Sequence, residues 1–535
     1  MGILPSKHLH IGLYLLGVIV AGIASIWQSS PGFMDADYYF GGGLQLVRGE
    51  GFWEPYIWNY LSEPSELPQP SHTYWMPLPS ILAALGMWVG GEQHFKWAQV
   101  FFIVLSGFVP VLAMKTAKRY VSNQRYAWIS GLLAAFPGVY LVYIALPETF
   151  LLYILGGATI FFLINRIERK EDWGKQFKDC LLLGIGAGWM HLSRADGMLW
   201  LVGIILWIVG RIIRKPGTSD KLRIAIILTS LILVGYLSVM GIWYLRNLQY
   251  FATFTAPGAS RTLWMTDYFQ TFSYPASIIT FDQWINTGIG LHLKFRWDAL
   301  ILNLQNLLVV QGGIVLLPVM MVGLWAKRRE VAVQFAFWLW IATLFTMSVI
   351  FPFAGSRGGY LHSAAAFQVL LWAMFPVGLE IVAGWGKRMR NLPPHKTMQI
   401  FGTAAIGVNL VIGGWFFHDR VIGTDPKNLI WNQNFRVYEE VGDYLQDNGY
   451  ARDTVILVNN PPGFHIATGF PAIVIPYGEL SASLAAARQF NGKILVLEEH
   501  QVNLSDLYNN PGKSEQLEYL DSVGGARIFR IKMDE

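Results

Sequence analysis

The sequence predicts an all-α polytopic membrane domain followed by a small extracytoplasmic α/β domain, and three observations carry that expectation. Of 535 residues, 53% are hydrophobic and only 14% charged, against about 25% charged in ordinary soluble chains; mean hydropathy is +0.38. Apolar runs long enough to cross a bilayer recur through residues 1–424, whereas beyond Asp425 short strand-like and helix-like patterns alternate. Lys and Arg gather in every second loop. Together these exclude a purely soluble, disordered or fibrous chain, and a net charge of +5 is too small to suggest nucleic acid as a partner. The single cysteine, Cys180, permits no intramolecular disulfide, so a domain outside the membrane must be held by packing alone.

A hydrocarbon core of about 30 Å needs about 20 helical residues. Eleven runs are candidates: 11–27, 97–114, 127–145, 150–164, 180–192, 198–212, 224–243, 307–325, 331–351, 361–384 and 398–417. No small-residue cleavage site follows the first, so it reads as a span rather than a cleaved signal. Loops on one side of this scheme hold 22 of the 40 basic residues and those on the other hold 8, with 10 in the C-terminal tail. The positive-inside rule then places the N-terminus in the cytoplasm and the tail outside, in an integral membrane protein of a bacterial or archaeal plasma membrane. The run 78–89 is short, proline-flanked and tryptophan-bearing, and reads as an interfacial helix lying on the membrane. Two long outer loops result, 28–96 and 244–306, both rich in Trp, Tyr, Phe, Pro and Gly. The expected division is a membrane domain over 1–424, these loops included, and an α/β domain over 425–535. In the latter, strands are expected at 454–459, 472–477, 493–498 and 526–531, and helices at 435–448, 481–490 and 514–523.

The first outer loop opens Phe33-Met34-Asp35-Ala36-Asp37-Tyr38-Tyr39-Phe40, then Gly41-Gly42-Gly43, and later Arg48-Gly49-Glu50-Gly51-Phe52. Asp35 suits two roles: N-cap of a helix starting at Ala36, or a general base at the interface. The pair Asp35 and Asp37, joined by Glu148, is the one candidate for a divalent cation; no cluster of His, Cys and acid stands at ligand spacing.

An acid just past the first span, an aromatic four residues on and a Pro-rich stretch, here Trp75-Met76-Pro77-Leu78-Pro79, resemble the GT-C membrane glycosyltransferases. The nearest branch is that of the protein-O-mannosyltransferases and aminoarabinose transferases. Two departures stand out: Ala36 replaces a usual acid, and Met76 stands where a lysine often meets the lipid phosphate. The resemblance implies extracytoplasmic transfer of a sugar from a polyprenyl-phosphate-linked donor to a lipid, glycan or protein acceptor, without an obligatory cofactor. It implies Asp35 as base, by its spacing to Tyr39, with Asp37 second.

Such chemistry needs cations for the departing phosphate. Arg357, among glycines in Gly355-Ser356-Arg357-Gly358-Gly359, is the first candidate, Arg261 in Pro257-Gly258-Ala259-Ser260-Arg261 the second, and Arg194 in Arg194-Ala195-Asp196-Gly197 the third. Arg194 also suits a self-paired turn with Asp196. Tyr39, His72, Tyr74, Glu148 and His362 are candidate substrate contacts, with Glu148 equally a helix cap and His362 a helix-end histidine. The tail's Asn459-Asn460-Pro461-Pro462-Gly463 follows a strand but carries no nucleotide-binding glycine pattern. A lipid or sugar transporter is the rival class. It would call for helices broken at matching positions, and the sequence shows no such pair.

Overall fold

A computed structural model describes residues 6–170, 172–216, 220–390, 393–499 and 501–532. The chain divides into two compact units: Met1–Ile26, Gln99–Arg246 and Arg296–Arg420 form the first, and Trp27–Ala98, Asn247–Phe295 and Val421–Glu535 the second.

The first unit is helical. Counting the Phe95–Tyr120 helix, whose first turn belongs to the second unit, eight helices among the described residues are long and apolar enough to cross a membrane: His8–Ile26, Phe95–Tyr120, Thr149–Glu168, Ala195–Arg214, Lys221–Phe251, Val331–Ile350, Pro352–Arg388 and Pro394–Ile422. Three of the eleven expected spans depart from this. The run 127–145 is helical only over Ala127–Ala135, because Pro137 and Gly138 stop it and a 3-10 turn, Gly138–Val142, follows. The run 180–192 forms a 17-residue helix, Phe177–Ser193, one residue short of that length. The run 307–325 is broken: a π turn, Leu307–Gln311, precedes the ten-residue helix Leu317–Ala326. A second π turn at Thr346–Ile350 and a kink within Gly355–Gly359 interrupt the later spans. Helix breaks are therefore present where none was expected.

Glycines set the closest helix crossings. A Cβ on Gly323 would lie 2.1 Å from the Met374 carbonyl, and one on Gly378 would lie 1.9 Å from the Val319 carbonyl, so Leu317–Ala326 and Gln368–Arg390 meet backbone to backbone. Lipid gives helices no hydrophobic reason to associate, so close approach through small residues supplies the attraction.

The second unit is built on a six-stranded sheet. Its strands are β2 (Tyr56–Ile57), β4 (Val455–Val458), β5 (Ala472–Val474), β6 (Gly492–Leu497), β7 (Leu517–Val523) and β8 (Ala526–Ile531), in the order β2-β5-β4-β6-β8-β7. A separate two-strand ribbon pairs β1 (Trp53–Glu54) with β3 (Gln69–Pro70). The first four strands of the larger sheet run parallel and the last two antiparallel. The core lies on both faces: Leu457, Ile473, Leu495 and Phe529 on one, Ile456, Val458, Phe464 and Ile528 on the other. The tail strands match expectation closely, with one correction. Residues 514–523, expected as a helix, contain β7, which turns through Gly524-Gly525 into β8. Both glycines have positive φ (56° and 88°), as a two-residue hairpin turn demands.

A larger correction concerns the domain division. The loops expected to belong with the spans instead fold with the tail. β2 from the first loop pairs in parallel with β5 (Tyr56↔Ala472, Ile57↔Ile473). In the second loop Ser273 bridges to Tyr477, whose N–H donates to the Phe272 carbonyl at 3.0 Å. The segment 78–89 is a helix, Leu78–Gly90, whose last turn exposes Trp88 and Val89.

Gly323→Val should therefore destabilise the first unit by at least about 1–3 kcal/mol, whereas Gly241→Ala, with nothing within 4 Å of the added carbon, should be neutral. Thermal melts of the purified protein compare them, and equal melting of the two variants would contradict the crossing.

Candidate functional site

In the second unit the acid-bearing segment is the helix Met34–Arg48. It starts two residues earlier than expected, with Phe33 in extended backbone (φ −157°, ψ 161°) at the N-cap and no side-chain cap. Asp35 thus lies inside the first turn and is not the capping residue. Asp35 and Asp37 both sit there, where the helix dipole favours anions. Two residues of helix rotate a side chain by about 200°, so the carboxylates diverge, and a cation held by Asp35 would draw its other ligands from elsewhere.

Asp35 is half-buried and Asp37 buried, at 4% exposure. The Asn460 side chain donates to Asp37 Oδ2 at 2.7 Å. Asn460 caps the helix Pro461–Thr468 by accepting from the Gly463 N–H at 3.2 Å. A Cβ on Gly463 would lie 2.5 Å from Asn460 Nδ2 and 2.8 Å from Asp37 Oδ2, so only glycine leaves room for this contact. The strand-following Asn-Asn-Pro-Pro-Gly stretch is therefore the partner of the second acid, and spacing in the sequence carried no signal of it. Burial pushes the Asp37 carboxyl up to about 7, and the hydrogen bond from Asn460 offsets this only in part.

The glycine run Gly41-Gly42-Gly43 lies within the same helix and admits its neighbours. A Cβ on Gly42 would meet Ser80 Oγ at 2.7 Å and the His72 ring at 3.0 Å. His72 is buried, its ring bonded to Ser71 Oγ (2.7 Å) and Ser80 Oγ (3.0 Å), and its N–H donates to the Tyr38 hydroxyl at 2.6 Å. Tyr39, 1% exposed, packs on Trp75, which stacks on Trp58 at 3.9 Å; Tyr74 meets Trp58 edge-on at 5.1 Å. These three sequence candidates line an aromatic cluster beside the acids. Arg261 is half-buried, paired with Glu63 at 2.6 Å and donating to the Leu61 carbonyl at 2.7 Å.

The first unit brings together the remaining candidates. Glu148 caps the helix Thr149–Glu168, as the cap reading expected, accepting from the Thr149 N–H at 2.5 Å and its hydroxyl at 2.9 Å. Since the Thr149 hydroxyl donates its proton to Glu148, it accepts from His362 Nδ1 at 2.9 Å; that nitrogen also lies 3.4 Å from Glu148. His362 stacks on Phe150 at 3.9 Å. Glu148 Oε2 is buried with no hydrogen-bond partner among the described residues, which a carboxylate tolerates poorly without a ligand.

Arg194 pairs with Asp196 at 2.9 Å, as the self-paired turn predicts, and reaches the Gly359 carbonyl at 3.4 Å. Tyr153 donates to Asp196 at 3.2 Å, a contact that spacing did not suggest. Arg357 is exposed in the kinked stretch, where Gly358 takes φ 114° and lies near His362 Nε2 (3.9 Å to an added Cβ). Arg194, His362 and the Arg357 turn are thus neighbours.

By sequence alone the chain matches no described family and no curated protein. By structure it is similar to ArnT from Cupriavidus metallidurans bound to undecaprenyl phosphate, with TM-score 0.57 and 12% identity over 98% of each chain. It is also similar to the Archaeoglobus fulgidus oligosaccharyltransferase in complex with Zn and sulfate (TM-score 0.57, 12% identity, 94% of this chain and 70% of that one). The same enzyme tethered to an acceptor peptide gives 0.55 at 14% identity, over 92% and 69%. The fold is shared with ArnT and with the oligosaccharyltransferase.

Unfolded, Asp37 ionises near 3.8; folded, it holds its proton to about 7. The native state thus binds more protons across that window, and this group's contribution to stability falls as pH rises through it. Asp37→Asn keeps an acceptor for Asn460 but cannot ionise. Its melting point should rise relative to wild type between about pH 4 and about pH 7, a difference on the order of 4 kcal/mol at most. A gap that stays constant with pH would show that Asp37 titrates normally.

Proposed function

We propose that the chain is a membrane glycosyltransferase that moves a sugar from a polyprenyl-phosphate-linked donor to an extracytoplasmic acceptor, with inversion at the anomeric carbon. The observation that carries this reading is the fold shared over 98% of both chains with ArnT, a protein captured with undecaprenyl phosphate. The early acid, the arginines and the aromatic cluster support it.

In this reading the acceptor hydroxyl attacks the anomeric carbon from the face opposite the phosphate. The new glycosidic bond forms as the bond from carbon to phosphate oxygen breaks, and Asp35 takes the hydroxyl proton. Asp35 is assigned this role over Asp37 because it is half-buried rather than buried, and because Asp37 holds its own proton to about 7. Arg357 holds the departing phosphate: it is exposed beside a glycine-permitted kink, where backbone and guanidinium can approach an anion together. Arg261 and Arg194 assist by re-pairing when the donor arrives. Glu148 Oε2 accepts from a sugar hydroxyl, with His362 beside it, while Tyr39, His72 and Tyr74 shape the wall near Asp35. A divalent cation at Asp35 is compatible with this scheme and not required by it.

Asp35→Asn retains the side-chain shape and removes its basicity, so consumption of a radiolabelled polyprenyl-phosphate sugar should fall about 10²–10⁴-fold with folding intact, and Asp37→Asn should lose less. Wild-type turnover in Asp35→Asn would overturn the assignment; inhibition by EDTA would add a metal to it. Arg357→Lys cannot reproduce a bidentate fork and should weaken donor binding by about 1–3 kcal/mol. Orientation is tested apart from chemistry. Cysteines placed at the exposed Ser65 and Ser505 should react with an impermeant reagent in intact cells and one at Ser122 should not; the reverse pattern would invert the topology.

A further inference from the structure

The helix Met34–Arg48 begins without a capping side chain: Phe33 stands at its N-cap in extended backbone, and the first bond of the helix runs from the Asp37 N–H to the Phe33 carbonyl at 2.9 Å. The first N–H groups of any helix lack internal partners, and a polar side chain at the N-cap ordinarily holds that end. Asp35 lies in this first turn. One residue of slippage at the helix start would rotate its carboxylate by about 100°, so whatever holds the start also aims the acid.

The grip comes from the same unit, from the 3-10 turn Ile430–Asn432 that leads into the tail helix Gln433–Asp447. The Trp431 indole N–H donates to the Ser30 carbonyl at 2.9 Å. Ser30 in turn gives both of its donors to one acceptor, Asn432 Oδ1: its N–H at 3.2 Å and its hydroxyl at 2.8 Å. Ser30 and Trp431 are buried, at 3% and 7% exposure, which shields these bonds from competing water. Gly32 completes the clasp. It takes φ +87°, and a Cβ there would lie 2.5 Å from the indole nitrogen, so only glycine lets the chain turn this closely over the ring. Phe33 then meets Trp431 edge-on, with ring centres 5.9 Å apart. Asp35 is thus bracketed. The clasp ends at Phe33, two residues before it, and Asn460 grips Asp37, two residues after it.

We propose that Trp431 and Asn432 are positioning residues for Asp35: they fix where its helix starts, and so where its carboxylate points. This role rests on the reading of Asp35 as the base. Turnover of a radiolabelled polyprenyl-phosphate sugar by the full chain tests it together with hydrogen exchange. Asn432→Ala removes the acceptor for Ser30 and should lower kcat roughly tenfold to a hundredfold, with the donor KM unchanged. Asn432→Asp keeps an acceptor oxygen in that place and should restore kcat, whereas Trp431→Phe keeps a ring without the N–H and should lower it. Exchange at the Asp37 amide should quicken in Asn432→Ala and not in Asn432→Asp, with β4 and β6 protected in both. Added to Asp35→Asn, Asn432→Ala should cost nothing further, because it acts through that carboxylate. Unchanged exchange at Asp37, unchanged kcat in Asn432→Ala where Asp35→Asn loses turnover, or a further loss in the double variant would each overturn the positioning role. Wild-type turnover in Asp35→Asn would overturn the base reading itself; that failure is told apart from failure of the clasp because exchange is read without activity.

Discussion

Tyr56 and Ile57 pair in parallel with Ala472 and Ile473, more than 400 residues away in sequence, and the chemistry of the second unit depends on that short ladder. A two-residue strand has little stability alone. Here it adds to a sheet whose interior positions, Ile456, Ile473, Ile494 and Ile528 among them, are fully buried. The backbone groups of a loop that would otherwise depend on water find partners in the sheet. With β2 fixed, the helix carrying Asp35 and Asp37 lies against the helix Pro461–Thr468, and Asp37 meets Asn460. The tail domain is thus the platform on which the acids stand.

The same economy explains why the acids differ. A carboxyl buried with one hydrogen bond prefers to be neutral, and Asp37 does. Its neighbour two residues earlier is rotated toward less buried surroundings. Two acids of one motif therefore sit in distinct surroundings, Asp37 tying the helix to the tail and Asp35 less buried.

Much of this was legible in the sequence. Runs of apolar residues mark spans because composition alone determines what lipid tolerates, and eight of them became full-length helices among the described residues. The tail strands were legible because their apolar runs are bounded by turn residues. What stayed hidden depended on distant partners or on backbone geometry. Two residues, Tyr56 and Ile57, are too few to show a period, so the first loop's membership in the sheet left no pattern. The π turns at Leu307–Gln311 and Thr346–Ile350 occur within largely apolar runs and themselves carry no proline. Arg261 looked like an anion site from its glycine-containing turn, yet Glu63, some 200 positions earlier, already occupies it. Residues 514–523 were misread as helix although Gly524-Gly525 between apolar segments is a hairpin signal, because the strand's outer face is polar and irregular.

Native-state hydrogen exchange tests most directly whether the acid helix belongs to the tail's cooperative unit. Amides of Met34–Arg48, of β2 and of β4 and β5 should then open with one common free energy, as parts of a single folding unit do. Rapid, loop-like exchange across Met34–Arg48 while β4 and β5 stay protected would contradict it.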